Sequence, residues 1–164
     1  MSQIKVDSIV PRGGLPAGAS GGIIQVVQSF KSDGTTTTST SFVDVGLSCS
    51  ITPQSASSKI LVLWDLNCAK SAGVGHINLV RGSTNIAQPD GSESQSSSKQ
   101  FYAQSHATHR NVSQVYLDSP STTSTTTYKL QYRNEASSTF GVNIWYSGSN
   151  YVSVSAITLM EVST

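Results

Sequence analysis

Ser58-Lys59-Ile60-Leu61-Val62-Leu63-Trp64-Asp65-Leu66-Asn67-Cys68 is the most apolar run in the chain. Its Val, Ile and Trp favour an extended strand over a helix. Side chains of a strand alternate between faces, so Ile60, Val62, Trp64, Leu66 and Cys68 form one complete apolar stripe. Leu61 and Leu63 fall on the opposite face, which turns polar at Asp65 and Asn67. An antiparallel strand with one solvated face alternates apolar and polar along its whole length. This one needs cover on both sides for half its length. Another layer of the same chain can supply it, or another copy of the chain.

With 164 residues the chain has room for one domain with a real core. Charged residues make up 12 % of it and the formal net charge is +1, against about a quarter charged in ordinary soluble domains. No basic face or acidic tail points to nucleic acid or to an anionic membrane as a partner. Ser and Thr abound while Glu, Ala and Leu are scarce, which is strand-and-turn composition. No apolar run approaches the roughly 20 residues of a membrane helix, and the N-terminus lacks a charged-then-apolar signal pattern.

Residues 1–10 alternate loosely, with Ile4 and Val6 on one side and Lys5, Asp7 and Ile9 on the other, and Val10 closing the run. Residues 11–22, Pro11-Arg12-Gly13-Gly14-Leu15-Pro16-Ala17-Gly18-Ala19-Ser20-Gly21-Gly22, read as a linker. A lone strand on a tether needs a partner. One reading is a docking arm, Ile4, Val6, Ile9 and Val10, that augments a sheet in a neighbouring protein or subunit; the other is a frayed terminus. The body, residues 23–164, opens on a strand at 23–30 and turns at Asp33-Gly34. Strands follow at 42–51, 59–68, 74–81, 101–105, 111–117, 125–133, 139–146 and 151–162, with a Ser-rich loop at 89–99. Short strands and frequent turns are the rhythm of an all-β antiparallel sandwich or jelly roll.

Chemistry-bearing residues are few. Pairing residues 47–51 with 59–68 as a hairpin puts Cys49 near Val62 and leaves Cys68 beyond its reach, so both cysteines read as reduced, buried apolar residues. His106 and His109 are three apart, which on a strand sends them to opposite faces and gives a poor chelate, so no metal site is assigned. Asp90 and Glu93 are two carboxylates in a Ser-rich loop, read as solvated rather than as a calcium or glycosidase pair. No nucleophile elbow, phosphate loop or Cys-His set appears. The expectation is a protein without cofactor that is not an enzyme.

Three stretches carry a resemblance: Ser58-Lys59-Ile60-Leu61-Val62 after an Ile-Thr-Pro turn, Tyr128-Lys129-Leu130-Gln131-Tyr132-Arg133 after Asp118-Ser119-Pro120, and Ala156-Ile157-Thr158-Leu159-Met160-Glu161-Val162. In this order, behind the lead-in at 4–10 and 16–27, they resemble the tip domains of bacteriophage fibres, especially from marine and cyanobacterial phages. The resemblance implies a homotrimeric jelly roll broadly like the C1q and tumour-necrosis-factor fold, located on the virion. It implies as partners the chain itself and another virion protein held through the N-terminal arm, with a host surface glycan or protein as receptor. The chain departs from that family in lacking a long repetitive shaft, which favours a small knob fixed by its arm.

Packing around a threefold axis would cover Leu61 and Leu63, with Tyr128, Tyr132 and Tyr146 as aromatic help. Trp145 points away from Phe140, Val142 and Ile144 on its strand, and reads as an interface anchor or as a sugar-stacking platform. Receptor-loop candidates are Asp90, Glu93, His106, His109 and Arg110, in the loops at 89–99 and 105–110. Two roles stay open: an adhesin, or a capsid decoration or tail-assembly component with no direct receptor contact.

Overall fold

The computed structural model describes residues 22–90, 96–103, 108–136, 138–144 and 153–164. The docking arm (Ile4, Val6, Ile9, Val10), nearly all of the linker, and Glu93, His106, Trp145 and Tyr146 lie outside the described residues. Every regular element described is a strand. They are β1 (Ile23–Lys31), β2 (Thr35–Thr37), β3 (Val43–Ile51), β4 (Lys59–Lys70), β5 (Gly73–Arg81), β6 (Thr84–Ile86), β7 (Lys99–Ala103), β8 (Thr108–Asp118), β9 (Thr126–Asn134), β10 (Phe140–Val142) and β11 (Ser155–Val162).

Two antiparallel sheets result. The first runs β1-β11-β4, with β8 on the far side of β4, and is prolonged at one end by β10 and β2; the second runs β3-β9-β5, with β6 and β7 both on β5. The organising stretch is β4, central in the first sheet. Its stripe Ile60, Val62, Trp64, Leu66 and Cys68 is buried, and so are Ile157 and Leu159 of β11 beside it. The second sheet answers with Val45, Leu47, Cys49 and Ile51 of β3, Tyr128, Leu130 and Tyr132 of β9, and Ile77 and Leu79 of β5, all in one core cluster. Each such aliphatic side chain contributes roughly 1.5–3 kcal/mol by leaving water.

Several expectations are corrected. β3 and β4 do not form a hairpin: β3 pairs β9, with Cys49 opposite Tyr128, and lies in the sheet facing β4. A turn at 52–58 too long for a tight hairpin lets the chain cross between sheets. Cys49 and Cys68 are both free and buried. The strand expected at 139–146 ends at Val142, because Asn143 takes φ +58°, a left-handed conformation that Asn tolerates better than most residues.

That break is tied down. Asn143 N donates to Asn67 O at 2.8 Å, its Nδ2 donates to Lys31 O at 2.7 Å, and its Oδ1 accepts from Ser155 Oγ at 2.6 Å. Ser155 Oγ in turn accepts from Asn67 N at 3.0 Å. β10 and β11 therefore lie end to end along β4, with Val142 opposite Cys68 and Ala156 opposite Asp65, and Asn143 and Ser155 tied together where they meet. Ile144 folds back over two glycines: a Cβ on Gly141 would sit 2.7 Å from Ile144 O, and one on Gly34 would sit 2.5 Å from Ile144 Cβ. Ile144 thus does not continue the face of Phe140 and Val142.

Replacing Asn143 by Ala removes the buried acceptor and donor together, so Lys31 O loses the Nδ2 bond and the Ser155 hydroxyl loses its acceptor, keeping only the bond from Asn67 N. Urea unfolding is expected to show a loss of about 3 kcal/mol. Asn143→Gly, which keeps the backbone angle free, should lose nearly as much; equal stability of Asn143→Gly and the parent would mean the side-chain knot is idle.

Candidate functional site: an uncovered apolar sheet face

The outer face of the first sheet is built by register. Leu117, Leu61, Met160 and Val26 stand in one row across β8, β4, β11 and β1. The next row holds Val115, Leu63, Thr158 and Gln28, and the third Ser113, Asp65, Ala156 and Phe30. Phe30 is 65 % exposed, Val115 63 %, Val26 55 % and Leu117 48 %, while Leu61, Leu63 and Met160 are half-buried among them. Charge is confined to the margins, with Lys59 before the first row and Asp65 in the last. No strand, loop or side chain among the described residues covers these rows.

The outer face of the second sheet is what a water-facing layer looks like. Lys129 Nζ and Gln131 Nε2 both donate to Asp44, at 2.9 and 2.7 Å. Its centre is roofed by the chain around β6 and β7. Ser98 N donates to Asn78 Oδ1 at 3.2 Å, Gln88 Nε2 bridges Asn78 Oδ1 and Ser98 Oγ, and Ser97 Oγ meets His76 Nδ1 at 3.3 Å. Tyr102, Ile23 and Val154 are also exposed, but the first sheet's outer face is where exposed apolar side chains, Val26, Phe30, Val115 and Leu117, gather around Leu61 and Leu63. Scattered exposed apolar side chains need no explanation, but contiguous ones mark an interaction surface.

The expected interface residues divide. Leu61 and Leu63 are where they were placed, at the centre of this face. Tyr128 and Tyr132 are not: both are fully buried between the sheets, because β9 directs its even-numbered residues inward. Tyr128 Oη donates to Asp118 at 2.7 Å, and Arg81 Nη1 reaches both Asp118 oxygens at 2.9 and 2.8 Å. Burial and the Asp118 carboxylate push the Tyr128 hydroxyl well above its usual range. Tyr132 packs edge-on against Phe140, centroids 5.1 Å apart. These are core residues and leave the interface set.

Among the receptor-loop candidates, His109 and Arg110 are exposed and pair with Ala69 and Cys68 at one end of β4. Asp90 is exposed but does not join them. It follows β6, which pairs β5 at Leu79–Arg81, and so leaves from the flank of the other sheet. No group of three or more His, Cys, Asp or Glu among the described residues could hold a metal. The chain matches no protein-family model and no curated protein at a significant level.

Val26, Phe30, Val115, Leu117 and Met160 were missed by the sequence reading. Their signal was the apolar neighbour: Val26-Val27 and Val115-Tyr116-Leu117, like Leu61-Val62-Leu63, put apolar side chains on both faces of one strand.

Two buried bases give the body a pH dependence. Burial, helped by Arg133 and Lys70 and opposed by Glu135, pushes His76 down to about 4 from 6.5. Between these values the unfolded chain binds a proton that the folded one does not, so stability falls as pH drops from about 6.5 to about 4. Lys70 Nζ, held by Asn134 Oδ1 and by Ser138 Oγ at 2.6 Å, is lowered by burial to about 8 from 10.5, so stability climbs as pH rises between them. Chemical unfolding from pH 7 to 4 is expected to show a loss of about 2–3 kcal/mol, and His76→Gln is expected to flatten that slope.

Proposed function

We propose that the chain is a non-enzymatic knob of a bacteriophage virion surface, a homotrimer assembled through the outer face of the β1-β11-β4-β8 sheet. The observation that carries this reading is the uncovered face itself: one apolar row across four strands, Leu117, Leu61, Met160 and Val26, continued by Val115 and Leu63 beside the hydrogen-bonded Gln28 and Thr158, with charge only at the margins. Each leucine or phenylalanine fully withdrawn from water contributes roughly 1.5–3 kcal/mol, enough over several positions to offset the cost of association.

Strand pairing supports a jelly roll. Without the short β2, β6 and β10, the first long strand pairs the last (β1 with β11), the second the next to last (β3 with β9), then β4 with β8, and β5 with β7. Such nesting is one long hairpin rolled into two sheets. The ends support a polarity. Ser163 N donates to Gly22 O at 2.9 Å, and Thr164 Oγ1 donates to Ser57 O at 2.9 Å, so the segment preceding Gly22 leaves beside the C-terminus. His109 and Arg110 stand at the other end of β4. In our reading the end at Gly22 faces the particle, and the end at His109 and Arg110 faces a host surface glycan or protein.

Sedimentation equilibrium tests the assembly. The wild-type chain is expected to run as a homotrimer, and Leu63→Lys as a folded single copy, since a lysine at the centre of the face would be buried without a partner. A wild-type protein that stays a folded single copy at tens of micromolar would overturn the reading. Imaging of particles labelled at the C-terminus tests the virion location.

A further inference from the structure

The sandwich has six strands with a side that pairs with nothing described: β1, β2, β3, β6, β7 and β8. An open strand edge is a template for another strand, and proteins blunt such edges with bulges, charge, proline or shortness. β2 and β6 have three residues each. β1 and β3 carry register shifts, the second at Gly46 with φ +86°. β7 has five residues and opens on Lys99. β8 has eleven, and its span Asn111-Val112-Ser113-Gln114-Val115-Tyr116-Leu117 contains no charge, proline or glycine and pairs β4 without a shift. β1 is also free of charge, proline and glycine from Gln25 to Phe30, beyond its shift at the start, but β8 is the longest of the six edges and, unlike β1 and β3, carries no shift at all.

We propose that this edge of β8 is a strand-addition site whose occupant is residues 4–10 of a neighbouring copy. This rests on the reading above that copies assemble and that residues 1–10 are a docking strand. Ile4-Lys5-Val6-Asp7-Ser8-Ile9-Val10 is the apolar, β-branched segment of the chain outside the sandwich. The chain between it and β1, residues 11–22, spans up to roughly 40 Å when extended. In the sheet order β1-β11-β4-β8, β1 and β8 are the opposite edges, so the subunit's own arm begins across the apolar face from its own β8. The two edges lie three strand spacings, about 14 Å, apart, so length permits either β8; with the face packed against copies we take the neighbour's. Addition there extends the sheet by main-chain hydrogen bonds, and alternation lets Ile4 and Val6 stand beside Val115 and Leu117 on the same face.

Hydrogen exchange of the full-length protein tests this. Amides of residues 111–117 are expected to exchange at least about tenfold more slowly in the full chain than in a chain lacking residues 1–10. A synthetic peptide of residues 1–12 should restore the protection, and Val115→Lys should abolish its effect. Equal exchange with and without residues 1–10 would overturn the proposal. Protection that survives dilution to the single copy would place the arm on its own subunit and overturn it as well. Sedimentation of the full chain separates the two readings: a trimer whose β8 exchanges as fast as in the shortened chain removes only the arm, whereas a single copy removes the assembly beneath it.

Discussion

β4 carries more apolar surface than the described sandwich covers. Its inward stripe fills the core, and its outward Leu61 and Leu63 continue into Leu117, Val115, Met160 and Val26 on the strands beside it. A hydrophobic side chain left in water forfeits the free energy that its burial would contribute, and an edge or face that stays exposed invites unwanted pairing. The second sheet shows that the chain can make a polar outer layer, with Asp44, Lys129 and Gln131 bonded to one another. The difference between the two outer faces is therefore a property of the sequence and not of a small domain running short of polar residues.

Polar groups inside the body serve to fix the backbone. Asn143 and Ser155 stitch the broken strand to β4 and β1; Asp118, Arg81 and Tyr128 join the end of β8 to β5 and β9; Lys70 reaches Asn134 and Ser138. Each gives its buried polar groups hydrogen-bond partners, without which their burial would cost more than the bonds contribute. They also hold the strands in register, so that the outer rows line up across four strands. The Asp118 pair bears on the face directly, because a one-residue slip of β8 would send Val115 and Leu117 inward and Tyr116 out.

The alternation of β4, β9 and β11 made the all-β sandwich legible, and most strands fell where their β-branched residues and turns placed them. What was not legible was non-local. Nothing in residues 47–51 says that they pair with 126–132 rather than with 59–68, since either partner satisfies the alternation. Tyr128 and Tyr132 looked available for an interface because a phenol suits a wet contact; only the opposing sheet shows that their side of β9 is the core. Asn143 stopped a strand that its apolar neighbours would have continued, and no propensity announces a knot to Lys31 and Asn67. The face was half visible: Leu61 and Leu63 showed it, while Val26 and Phe30 joined it only once β1 was known to lie next to β11.

β8 carries three separable demands on one strand. Its residues Val112, Tyr116 and Asp118 face the core, Val115 and Leu117 face outward, and its main chain beyond β4 is an open edge. Period-two alternation keeps the first two apart by residue, and the third is read first through backbone hydrogen bonds, with the outward side chains flanking it. A charge at position 115 therefore touches the face and the edge but spares the core, whereas loss of Tyr116 loosens the core and leaves the outer rows in place. Because core and outward residues alternate on separate faces of β8, a substitution on one side leaves the packing of the other in place.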